Sequence, residues 1–185
     1  MARQAMHEKL ESFGRGPSLL SAVLRQFPKK MWLYESTPDR WSIHETILHL
    51  ADSEVCSYIC CRRHIAERGS LSFQYDSARW AVSLGYCHQS TREALEVIRR
   101  LRKMTHRLLI SLPEPVWSHL MEHPPGGEMS LDDWIDRHER HMLHHIAQIR
   151  QNYETWLRTH PPRKPASPAR RSNIASPTSM PTVRI

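Results

Sequence analysis

The sequence predicts an all-α protein built as a four-helix bundle. Three observations carry the prediction. Three capping signals each open a long stretch of helical hydrophobic periodicity. A fourth apolar stripe lies nearer the N-terminus. No segment shows convincing period-two alternation, so no sheet is expected. With 185 residues, 39% apolar and 24% charged, the chain is long enough to bury one core and has the composition of a soluble globular domain.

Taken in order, the first helix is expected to start at Pro17, a residue suited to a first helical position. Leu19, Leu20, Val23, Leu24 and Phe27 form its stripe, Pro28 marks its end, and residues 1–16 read as an N-terminal extension. The second helix opens at Ser42-Ile-His-Glu45, which has capping-box spacing, and runs to about Arg68. Its apolar face holds Ile43, Ile47, Leu50, Ala51, Val55 and Tyr58. The third opens at Ser90-Thr-Arg-Glu93 and carries Leu95, Ile98, Leu101 and Leu108 up to about Leu112. The fourth opens at Ser130-Leu-Asp-Asp133 and reaches about Arg158; Asp132 and Asp133 also complement the positive end of its dipole. Connections fall near 29–41, 69–89 and 113–129, and the two longer ones are where a lid over a pocket would be found. The bundle domain is thus expected over 17–159.

The net charge of +7 is unevenly distributed. Residues 160–185 hold Arg163, Lys164, Arg170, Arg171 and Arg184 and no acid, which leaves +2 for residues 1–159. That segment also carries six prolines and few large apolar groups, so a disordered tail is expected there. Its charges are sparse and lack interleaved aromatics, a weak pattern for nucleic acid. No apolar run approaches the length of a membrane span. Three of the four cysteines, Cys56, Cys60 and Cys61, crowd into six positions of one helix, a poor disulfide framework; the fourth is Cys87. Together with the absence of an apolar leader-like segment, this predicts reduced thiols in a cytoplasm.

The stretch His138-Glu-Arg-His141-Met-Leu-His144-His145 places four of the 13 histidines in eight positions. At about 100° per residue, His138 and His145 border the apolar stripe of Leu131, Ile135, Met142, Ile146 and Ile149. His141 lies just beyond it and His144 points away. His141 and His145 sit one turn apart on one face, where two imidazoles can share an ion; His138 with His141 is a less favourable pair. The same spacing also suits a polar surface, and a metal site requires a third ligand from elsewhere. The candidate is His49, on a stripe of its helix with Ser53, Cys56 and Cys60, opposite the apolar face. Small and polar, that stripe suits either a pocket wall or a plain surface. His44 lies on another face and is expected to be solvated. The cysteines read as small hydrophobes.

The combination of Trp41-(seven residues)-His49-Leu-Ala-Asp-Ser53 with His141-Met-Leu-His144-His145 resembles the DinB/YfiT-like family of metal-binding four-helix proteins. Tyr75-Asp-Ser-Ala-Arg-Trp80-Ala-Val-Ser-Leu-Gly-Tyr86 resembles that family's segment between the second and third helices, and the likeness covers about residues 17–158. The resemblance implies a divalent ion, typically nickel or zinc, on His49, His141 and His145, with His138 and His144 outside the ligand set. Asp52 and Gln148, each one turn from a ligand, could orient an imidazole through its second nitrogen. Asp76 and Trp80 match the loop motif and are expected to line the pocket. The resemblance further implies a small-molecule substrate, handled by a metal-dependent hydrolase or by an S-transferase using a low-molecular-weight thiol of the bacillithiol or mycothiol kind, and a homodimer. A non-catalytic metal- or ligand-binding bundle is the alternative of another class. No catalytic residue is assigned by the sequence.

Overall fold

In the computed structural model, the described residues are 2–37, 40–67, 72–122 and 127–161. Four long helices form the bundle: α1 (Ala2–Leu24), α2 (Ile43–Ala66), α4 (Thr91–Ile110) and α5 (Leu131–Thr159), with a short α3 (Ser77–Ser83) in the connection from α2 to α4. All three expected N-caps are present. Ser42 and Glu45 form a reciprocal capping box, as do Ser130 and Asp133, and the Ser90 hydroxyl accepts from the Glu93 amide. Around the bundle, α1 and α2 each pack against both α4 and α5. One core cluster gathers Leu20, Ile47, Leu50, Ile98, Ile146 and Ile149; a second gathers Leu10, Phe13, Cys61, Leu109 and Trp134. No helix among the described residues is long and apolar enough to cross a membrane.

Four sequence expectations change. The first helix starts at Ala2 rather than Pro17, so most of the expected extension is helical, and Pro17 lies inside the helix. Its missing N–H leaves the carbonyl of Phe13, four residues back, without its helical donor. The guanidinium of Arg102 supplies that donor, Nη1 to the Phe13 carbonyl at 3.0 Å. The close approach needs Gly16, where a Cβ would lie 3.2 Å from Arg102 Nη1. Arg102 is fixed in turn by a bidentate pair with the buried Glu54, at 2.8 and 2.7 Å. Met6, Leu10 and Phe13 supply the inward stripe of the first turns.

A small sheet exists as well. β1 (Leu120–Glu122) pairs antiparallel with β2 (Glu128–Ser130), Met121 opposite Met129. Three residues per strand, with Met121 alone pointing inward on β1, are too few for alternation to be legible. The connection 69–89 contains α3 rather than being wholly irregular. Finally, the apolar face of α2 ends sooner than expected: Val55 is exposed and Tyr58 half-buried. The expected tail lies almost wholly outside the described residues, which end at 161.

Candidate metal centre

The site forms where α2 and α5 meet. His49 stands one and a half turns into α2, so the Ser42 capping box that sets the start of the helix also sets the direction of this side chain. His141 and His145 leave α5 one turn apart. Nε2 of His141 lies 3.1 Å from Nε2 of His49 and 3.0 Å from Nε2 of His145. The ligand atoms of the three all fall within 4.8 Å of one another, and His49 and His145 are buried while His141 is half-buried.

A ring nitrogen offers one in-plane lone pair or one N–H, so His141 Nε2 cannot satisfy both neighbours by hydrogen bonding. The outer nitrogens sharpen the conflict. His145 Nδ1 lies 2.7 Å from Oε1 of Gln148, an acceptor, which puts the proton on Nδ1 and turns the Nε2 lone pair inward. His141 Nδ1 has the Ser53 hydroxyl at 3.4 Å, and His49 Nδ1 has the Tyr75 hydroxyl at 3.4 Å. Each imidazole therefore has an oxygen partner outside and a nitrogen facing its fellows, the pattern of oriented histidine ligands. A shared cation removes the inward conflict, and tetrahedral ligands with bonds of about 2.0–2.1 Å stand only slightly farther apart, about 3.3 Å. The residues fit a divalent metal.

Burial keeps these rings neutral. It lowers the His49 pKa to about 4, assisted by the charge of His145. Burial lowers His141 to about 3, assisted by His145 and then His49. His145 is also lowered by burial, against the opposing hydrogen bond of Gln148. Neutral imidazole is the form that ligates.

Beside His49 and His141 opens a cleft of about 290 Å³. Its floor is Ser53, Cys56 and Cys60 of α2, so the small polar stripe of that helix is a pocket wall. Phe73 and Tyr75 form one side, Trp134, Arg137 and His138 of α5 the other, and Met121 and Met129 of the hairpin close one end. Burial pushes the Cys56 thiol up to about 11. Cys60 Sγ accepts the Phe73 amide at 3.2 Å. The four cysteines are unpaired. On the far side of His145, a second cleft of about 440 Å³ is lined by Trp41, Gln148 and Asn152 among others.

The remaining sequence candidates fare differently. Gln148 contacts His145 as expected and also reaches His144, Nε2 to Nε2 at 2.9 Å. His144 is exposed, in line with its outward direction on the wheel. His138 lines the cleft, its ring against Trp134 at 4.4 Å between centroids. Trp80, expected to line the pocket, is not among its lining residues; its ring packs on Tyr75 at 4.4 Å between centroids. Asp52 does not orient a histidine; it accepts the Tyr86 hydroxyl at 2.5 Å. Asp76 is exposed and caps α3 by accepting the Arg79 amide, outside the cleft lining. His44, expected in solvent, is buried, with Nε2 2.8 Å from the Tyr86 carbonyl. Held by Asp52 and His44, Tyr86 pins the segment that brings Tyr75 over His49. Tyr75 and Trp41 were not read from the sequence as site residues. Trp41 packs on His49 at 4.7 Å and stacks over His145 at 6.5 Å. The signal for Trp41 is its place at the head of the motif that carries the family resemblance, directly before the Ser42 cap.

Comparison with known proteins supplies the kinship. A relative from Oceanobacillus iheyensis named "Putative metal-dependent hydrolase" is 30% identical over 109 residues, covering 59% of this chain and 63% of its own length. A Bacillus mycoides protein of the same name is 26% identical over 136 residues, covering 72% of this chain and 76% of its own. Among solved structures, YfiT of Bacillus subtilis, which has an unusual four-helix bundle topology, superposes with a TM-score of 0.77 at 18% identity, over 84% of this chain and 90% of that one. The mycothiol-dependent maleylpyruvate isomerase gives a TM-score of 0.64 at 15% identity, over 83% and 66%. The family model of the DinB superfamily matches residues 12–149, which includes all three convergent histidines, and the chain belongs to that superfamily.

Proposed function

We propose that this protein is a metal-dependent enzyme in which His49, His141 and His145 hold a divalent ion, nickel or zinc, and the adjoining cleft takes a small molecule for hydrolysis or group transfer. The observation that carries the reading is the convergence of three neutral Nε2 atoms at the wall of a cleft. A divalent ion on three neutral ligands keeps its full charge and supplies Lewis-acid activation of a nucleophile near neutral pH.

The chain's own groups set the conditions. Tyr75, Ser53 and Gln148 orient the three imidazoles through their outer nitrogens. Trp41 shields His49 from water. The Cys56 thiol, raised to about 11 by burial, stays protonated at neutral pH and is a poor nucleophile. Cys60 is engaged with the Phe73 amide. With both cleft cysteines set aside, the attacking group in this proposal comes from outside the chain, either water or a second substrate. The names of the Oceanobacillus and Bacillus relatives favour water.

The test is elemental analysis of protein purified without a histidine tag, followed by turnover assays. Bound nickel or zinc with cleavage of model esters or amides supports hydrolysis. Turnover only of electrophiles supplied with a thiol supports an S-transferase. Metal with no turnover in either screen supports a binding bundle, and protein that takes up no divalent metal overturns the reading.

A further inference from the structure

We infer that the cleft beside the three histidines recognises a small molecule bearing a carboxylate, and that Arg137 is the residue that binds it. The inference deepens the proposed function, since it concerns the same cleft.

Among the described residues lining this cleft, Arg137 is the only permanently charged side chain. It is exposed, so it stands at the mouth rather than in the floor. It makes no hydrogen bond or ion pair with any described residue, although acids surround it on α5. Asp133, one turn earlier, is held by the backbone and hydroxyl of Ser130 at 3.1 and 2.6 Å. Asp136 pairs with Lys9 at 3.0 Å. Glu139 takes the Ser12 hydroxyl. The neighbouring carboxylates are thus turned to α1 and to the helix cap, and the guanidinium is left facing the cleft.

Placement supplies the second argument. Trp134, Arg137, His138 and His141 share one face of α5, so Arg137 and His141 are four residues apart, about 6 Å along the axis. A ligand spanning that distance presents an anionic group to Arg137 and its reactive group to the histidines. Phe73, which lines the same cleft and is exposed, offers apolar surface to its body. At about 290 Å³ the cleft lies near the lower end of the usual range for small-molecule sites, roughly 300–1,000 Å³. A single guanidinium matches a single carboxylate in fork geometry.

The probes are 3-phenylpropionate and its neutral amide, titrated calorimetrically into wild type, Arg137→Gln and Arg137→Lys, each metal-loaded and chelator-stripped. Wild type is expected to bind the acid at least tenfold more tightly than the amide in both forms, in line with a charge-assisted hydrogen bond. Arg137→Gln should reduce that preference to about twofold or less with unchanged metal content and melting temperature, and Arg137→Lys should restore part of it. A preference that survives Arg137→Gln overturns the assignment. So does one that vanishes on stripping the metal, which would place the anion on the ion. Equal binding of acid and amide, or binding of neither, also overturns it. Because the stripped protein is read separately, a chain that holds no metal would refute the proposed function and still leave the acid-to-amide ratio to decide this inference.

Discussion

At the scale of the residue, the four clustered histidines are not equivalent. His141 Nε2 meets the Nε2 atoms of both His49 and His145, whereas His144 is exposed, with its Nε2 on the Gln148 amide and its ring edge-on to His145. His49→Ala, His141→Ala and His145→Ala are each expected to empty the site, because two imidazoles hold a divalent ion poorly. His144→Ala should leave occupancy nearly unchanged. Gln148→Ala removes the group that keeps the proton on His145 Nδ1, and its affinity loss should be about 10–100-fold, the usual range for the orienting partner of a ligand. Metal stoichiometry at matched free metal concentration reads all five variants. A full site in His145→Ala, or an empty one in His144→Ala, would reassign the ligands. Tyr75→Phe tests the long contact to His49 Nδ1 in the same assay, with a loss smaller than that of Gln148→Ala expected from its 3.4 Å distance.

At the scale of the element, α1 depends on α4. Pro17 breaks the helical ladder at Phe13, and Arg102 repairs it from outside while binding Glu54. Removing one partner of a buried pair leaves an uncompensated charge, so Arg102→Ala should cost about 3–5 kcal/mol of stability. Pro17→Ala returns an N–H to α1. In the Arg102→Ala background it should recover about 1 kcal/mol, the net value of one hydrogen bond, beyond its effect in the wild type. Denaturant unfolding of the two single variants and the double variant gives the coupling. Strict additivity would show that Arg102 does not stand in for the missing donor.

At the scale of the whole molecule, the proposed metal site would link pH to folding. In the metal-free protein the folded-state pKa values of His49 and His141 lie near 4 and 3, below an unfolded value of about 6.5. The unfolded chain takes up protons first, so stability is complete above pH 6.5 and declines as pH falls towards 4. The slope is about 1.4 kcal/mol per pH unit for each histidine that is protonated only when unfolded. Metal binds only the neutral rings and should raise the melting temperature at pH 7.5, with the gain fading in acid. Differential scanning calorimetry of loaded and chelated protein between pH 4 and 8 checks both statements. Identical melting of the two forms at pH 7.5 would show that the ion is not coupled to the fold.

The sequence by itself determined the long helices, because their signals are local. Ser42 with Glu45, Ser90 with Glu93 and Ser130 with Asp133 satisfy helix starts within four residues, and the apolar periodicity of each segment needs no partner to be read. It determined the His141–His145 face for the same reason, since the turn of one helix puts both rings together. Tertiary structure decided everything that crosses between elements. Pro17 reads as a helix start until Arg102, 85 positions away in the sequence, is seen to complete the broken turn. His44 reads as solvated and Asp52 as a histidine's partner until Tyr86 folds back and takes both. Tyr75 carries no local mark of its position over His49, and the two strands are too short to announce themselves. Hydrogen bonds and burial between distant segments depend on where the chain returns. Helical spacing reports only which way a side chain leaves its own axis, and the neighbour it meets there is set by the packing of the other helices.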